Sequence, residues 1–86
     1  MVSLRADSID KPVTNAIRFQ HRYLWECRLD RELENIGRRP PWWRVYARQR
    51  YNEQYEAVMR MDERVRTVID ADTYTTRQLL GAMDLL

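Results

Sequence analysis

Ala47, Tyr51, Gln54, Val58, Met61, Val65 and Val68 recur at intervals of four and three residues, with Tyr55 and Ile69 beside the same stripe. That period is the signature of a helix with one buried side, and it predicts a long helix over about 42–70. The opposite side carries Arg48, Asn52, Glu53, Glu56, Arg60, Glu63, Arg64 and Thr67. It reads as a solvated surface, with Glu56–Arg60 and Asp62–Arg66 spaced for pairing.

An earlier segment is apolar but less regular. Asp10-Lys11-Pro12 resembles a helix entry, because proline is tolerated in a first turn where its missing N–H is not needed. Gly37 then stops the helix and Pro40-Pro41 prevents it from continuing, which predicts a helix over about 12–36 joined to the next by a short turn. At 100° per residue, Val13, Ala16, Ile17, Phe19, Tyr23, Leu24 and Cys27 fall on one side of it. Trp25, Leu29, Leu33 and Ile36 fall largely on another.

The change of face predicts that the first half of this helix meets two neighbours and the second half only one. A break near Tyr23, or a dimer seam on the second face, are competing accounts. Asp70-Ala71-Asp72-Thr73 interrupts the period, and Thr73 or Thr75 can cap a third helix over about 74–86, burying Leu79, Leu80, Met83 and Leu86. The expected fold is all-α: a long antiparallel helical hairpin with a third short C-terminal helix packed at its base. Residues 1–11 read as an N-terminal extension and 12–86 as one helical domain.

Size and composition narrow this further. Eighty-six residues with two glycines, three prolines and one cysteine leave room for one domain and no internal disulfide. There is no apolar run of the length a membrane span needs, and the early charges Arg5, Asp7, Asp10 and Lys11 interrupt any secretory signal core, so a soluble intracellular protein is expected.

The net charge of +2 hides an uneven distribution. Residues 1–36 balance six cations with six anions, whereas residues 37–52 hold Arg38, Arg39, Arg44, Arg48 and Arg50 and no acid. Residues 53–86 set four arginines against seven acids. Fourteen of the fifteen basic residues are arginine, whose planar fork suits carboxylates, phosphates and aromatic faces.

The basic island coincides with the turn Gly37-Arg38-Arg39-Pro40-Pro41-Trp42-Trp43-Arg44-Val45-Tyr46. Two adjacent tryptophans on a helix cannot face the same neighbour. Trp43 is expected to cover Leu33 and Ile36, and Trp42 to point away among the arginines and the free amides of a helix N-terminus, a setting that favours anions. The segment either seals the end of the hairpin, docks onto a protein, or binds nucleic acid by ring stacking and phosphate contacts.

The reading adopted is a non-enzymatic interaction module, an accessory or adaptor subunit of a larger cellular, viral or phage assembly. It would dock through Arg38, Arg39, Trp42, Arg44, Tyr46, Arg48 and Tyr51 onto a protein partner with an acidic or amphipathic surface. Self-association is a further expectation for so small a core, and nucleic acid is the alternative ligand.

Other chemistry-bearing residues read more plainly. His21 has no Cys, Asp or Glu three or four residues on and is expected on a helix surface, while Cys27 reads as a buried inert thiol. Glu26, Asp30 and Glu34 form an acidic row expected to face water or to pair with Arg22 or the Arg38 region. No metal, cofactor or catalytic set is expected. Leu4-Arg5, Ile9-Asp10, Arg22 and the run from Ile69 to Arg77 are similar to segments of the helical chorismate mutases, which would imply arginines clamping a dicarboxylate. In that family the first helix runs through the position of Pro12, where a proline costs about 3 kcal/mol, and the second helix is much shorter than the one predicted here, so the enzyme reading is not adopted.

Overall fold

A computed structural model describes residues 9–86. Helix α1 spans Asn15–Ile36, α2 spans Val45–Ile69 and α3 spans Thr76–Ala82. The two long helices pack against each other as a hairpin and α3 packs on α2, which is the all-α architecture expected. The molecule measures 52 × 30 × 20 Å with a radius of gyration of 16.1 Å, against about 12 Å for a compact chain of this length. It is a rod, with a base formed by all three helices and a tip at the α1–α2 connection. Residues 1–8, most of the expected extension, lie outside the described residues.

Two of the three helices, α1 and α3, start where local chemistry supplies a side-chain cap. At α1, Pro12 is not in the first turn as expected. It bridges to Thr75, and the Val13 amide donates to the Tyr74 carbonyl at 2.8 Å, tying this strand-like segment to the base. Thr14, not Asp10, is the N-cap, its Oγ1 accepting from the Ile17 amide at 3.3 Å. At α3, Thr75 and Gln78 form a capping box: Thr75 Oγ1 accepts from the Gln78 amide while Gln78 Oε1 accepts from the Thr75 amide. That helix ends at Ala82, four residues short of the expectation, and Leu86 is exposed instead of buried.

The core lies wholly in the base. Trp25, Leu29, Val65, Ile69, Tyr74 and Leu79 are buried, with Val13, Met61, Val68, Ala82 and Met83 packed around them. No residue from 30 to 61 is fully buried. The α2 stripe follows its spacing at Ala47, Tyr51, Val58, Met61 and Val68, which are half-buried, and at Val65, which is completely enclosed, whereas Gln54 and the flanking Tyr55 are exposed.

Helix α1 departs from its hydropathy. It is continuous through Tyr23, and its core side is the Trp25–Leu29 side throughout. Ala16, Ile17, Phe19, Tyr23, Leu24 and Cys27, expected to face two neighbours, are exposed. Arg18 and His21 take the inward place in the first half. The Arg18 guanidinium donates to the carbonyls of Ile69 at 2.5 Å, Ala71 at 2.6 Å and Asp72 at 2.8 Å while lying 5.2 Å from the Tyr74 ring centre. It thereby satisfies acceptors left open where α2 ends, and its charge sits at the negative pole of that helix.

His21 is part-buried rather than on the surface. Its Nδ1 shares a 2.8 Å hydrogen bond with the Tyr74 hydroxyl, and burial holds its pKa below the usual histidine value. Burial likewise raises the Tyr74 phenol, an effect partly opposed by the charges of Arg18 and Arg22.

One buried carboxylate crosses the core. Asp62 Oδ1 accepts from the Trp25 indole N–H and from Arg66 Nε, each at 2.8 Å, and Arg66 also donates to Glu26 at 2.6 Å. The Asp62–Arg66 pair was expected from its spacing. Glu26 pairs with Arg66, however, not with Arg22, which is bonded to Asp70 at 2.7 Å.

Candidate functional site

The tip is built by a tight turn rather than by a helix start. Gly37 has φ 82°, a conformation that strains residues carrying a Cβ, and its amide donates to the Glu34 carbonyl at 3.1 Å. Pro40 and Pro41 then carry the chain across, and the Arg44 amide donates to the Pro41 carbonyl at 3.0 Å to close a turn over Trp42 and Trp43. Helix α2 therefore begins at Val45, three residues later than its pattern suggests.

This delay changes the geometry of the indoles. Trp43 does not cover Leu33 and Ile36; it is 65 % exposed, and Trp42 is 79 % exposed. Val45 and Tyr46, in the first turn of α2, are also exposed. Four large apolar or aromatic side chains are thus exposed at one end of the rod.

The arginines around them are uncommitted to carboxylates. The ion pairs Arg22–Asp70, Arg64–Asp84, Arg66–Glu26, Arg66–Asp62 and Arg77–Asp10 all lie in the base half of the rod. Among the described residues, Arg38, Arg39, Arg44, Arg48 and Arg50 form none. Arg48 donates weakly to the Pro40 carbonyl at 3.3 Å, and the Arg50 guanidinium lies 6.0 Å from the Tyr46 ring centre. Arg44 occupies the N-cap of α2 without a side-chain hydrogen bond, and the first turn holds no acid, so the positive pole of that helix is not neutralised locally.

Of the residues expected to form the site, Arg38, Tyr46 and Tyr51 come together. With Ile36, Pro40 and Arg50 they line a shallow groove of about 270 Å³ between the end of α1 and the start of α2. Tyr51 is half-buried there and stacks on Tyr55, ring centres 6.0 Å apart. Trp42, Arg39 and Arg44 surround the turn outside the groove rather than lining it.

Sequence reasoning left out two residues of this surface. Trp43 was assigned to the hairpin interface because a helix was extended through it, and Arg50 was counted in the charge but not in the site. The Pro-Pro pair followed by two bulky rings was the signal that a turn continues to Arg44.

Among the described residues no group of three or more His, Cys, Asp or Glu side chains is placed to hold a metal ion, and no helix is long and apolar enough to cross a membrane. Compared with protein-family models, curated proteins and solved structures, the chain matches none.

Proposed function

We propose that this protein is a non-enzymatic docking module, a small accessory or adaptor subunit whose hairpin tip binds a protein partner with an acidic or amphipathic surface. One observation carries the reading: two indoles and Tyr46, more than three-fifths exposed, stand beside five arginines that have no carboxylate partner among the described residues. Tryptophan, tyrosine and arginine dominate the energetics of protein interfaces, and exposed aromatic clusters of this kind are uncommon on surfaces that remain in water. The absence of any fully buried residue between 30 and 61 agrees with it, because this half of the rod gains little stability from its own interior.

In this role Trp42 and Trp43 are apolar anchors. Arg38, Arg39, Arg44 and Arg48 make charge-assisted contacts and speed encounter with an acidic surface, while Tyr46 and Tyr51 extend the contact along the groove.

The test is affinity capture from cell extract with the wild type and with Trp42→Ala/Arg44→Ala, each with and without nuclease. The expected result is a protein partner recovered by the wild type, unaffected by nuclease and lost with the double variant at unchanged helicity. Recovery that survives the double substitution rejects the tip as the interface. Recovery that nuclease abolishes transfers the surface to nucleic acid, and binding to an oligonucleotide should then fall with salt at a slope of about −0.7 per neutralised phosphate on single strands.

A further inference from the structure

The outer side of α1 is a second apolar surface, far from the tip and unused by it. Ile17, Gln20, Leu24 and Cys27 follow one another at intervals of three, four and three residues, the spacing of a helix–helix seam, with Ala16 and Tyr23 beside them. This side turns away from Leu29 and the core, with Leu24 at the edge nearest Trp25. Ile17 is 40 % exposed, Tyr23 69 % and Leu24 61 %. Beyond Leu24 the surface continues into a groove of about 260 Å³ lined by His21, Leu79, Leu80 and Met83, where α3 stops short of closing against α1.

We propose that a second copy of this chain covers this face, giving a homodimer with α1 packed on its counterpart. Area is the first argument. Large side chains carry about 150–250 Å² each, so the exposed parts of Ile17, Tyr23 and Leu24, with the rims of Leu80 and Met83 in the adjoining groove, leave about 400 Å² of apolar surface per copy. Pairing two copies with their flanking residues buries about 1,000 Å² in total, the lower threshold of a biological interface and the size of a weak, concentration-dependent dimer.

Charge is the second argument. Helix α1 holds four arginines and four acidic residues, so two copies meet without net repulsion. The two tips, each bearing five arginines and no acid, would repel one another, which leaves them at the periphery of the dimer. The interface proposed here is independent of what the tip binds.

The experiment is sedimentation equilibrium of the full chain under reducing conditions from about 5 to 500 µM, a range that brackets micromolar dissociation constants. The wild type should pass from monomer to dimer. Leu24→Glu should weaken that association by about tenfold or more, since it places a carboxylate in the seam, and Trp42→Ala should leave it unchanged. Leu24 and Tyr23 are both exposed, so far-UV circular dichroism should be preserved; Tyr23→Lys supplies a second variant for the same comparison. Alkylation of Cys27 by a maleimide should slow as wild-type concentration rises, and should not slow for Leu24→Glu. A wild type that remains monomeric at the highest concentration overturns the proposal. So does a dimer that both Leu24→Glu and Tyr23→Lys leave intact, or one that Trp42→Ala dissolves.

Discussion

Replacing Asp62 by alanine tests how the base is held together. Its carboxylate is 8 % exposed and accepts two hydrogen bonds at 2.8 Å, from an indole that is 4 % exposed and from a guanidinium. Without it, the Trp25 N–H is stranded in the core, a cost of about 1–3 kcal/mol. Arg66 keeps Glu26, and that pair is about half exposed, so its loss of one partner adds at most about 1 kcal/mol. The expected destabilisation is therefore about 2–4 kcal/mol, a large share of the roughly 4–13 kcal/mol available to a chain of this length.

Asp62→Asn separates the contributions. Its amide oxygen can still accept from Trp25 while the charge facing Arg66 disappears, so it should recover more than half of the loss. Urea unfolding followed by circular dichroism gives both numbers, with the midpoint falling by about 1–3 M for alanine. Trp25→Phe completes a double-mutant cycle, in which a coupling of about 1–2 kcal/mol with Asp62→Ala is expected. A coupling near zero, or an alanine variant as stable as the wild type, would refute the view that this bond holds α1 and α2 in register.

Two other outcomes follow from the same end of the rod. Arg18→Met should lower stability by about 2–4 kcal/mol by stranding the carbonyls of Ile69 and Ala71, and Arg18→Lys should recover little of it, because an ammonium cannot span the three acceptors that the guanidinium fork reaches. His21, whose folded pKa is depressed by burial, binds fewer protons folded than unfolded just below the ordinary histidine pKa of 6.5. Unfolding free energy should accordingly decline as pH falls below that value and level off under the folded pKa. His21→Gln should flatten this decline in urea titrations at pH 7.5, 6 and 5, and an equally steep decline in the variant would assign the titration elsewhere.

The hairpin was legible because α2 states its own geometry: from Ala47 to Val68 the stripe keeps a three-four rhythm broken in character only by Gln54, and Gly37 with Pro40-Pro41 favours a reversal. Helix α1 was legible in extent but not in orientation. Its core side in the first half is Arg18, His21 and Trp25, and two of those are polar by any hydropathy scale. They face inward because the end of α2 and Tyr74 offer acceptors and a hydroxyl that appear only in three dimensions.

The same blindness placed Phe19, Tyr23 and Leu24 inside and assigned Cys27 to the core. At the tip, composition identified the basic aromatic cluster, but a period read one turn too early put Trp43 in the interface. Pro40-Pro41 and the two rings after them mark a turn, but its closure by the Arg44 amide is a backbone event that hydropathy does not register.

The concentration of buried residues at one end has a mechanical meaning. A hairpin tied by Trp25, Asp62, Arg66 and Arg18 at its root, and held elsewhere only by half-covered side chains and the turn that joins its helices, behaves like a looped spring clamped at one end. Amide protons near Tyr46 should exchange with solvent well before those near Val65, and the closed tip can bend towards a partner while the base stays rigid.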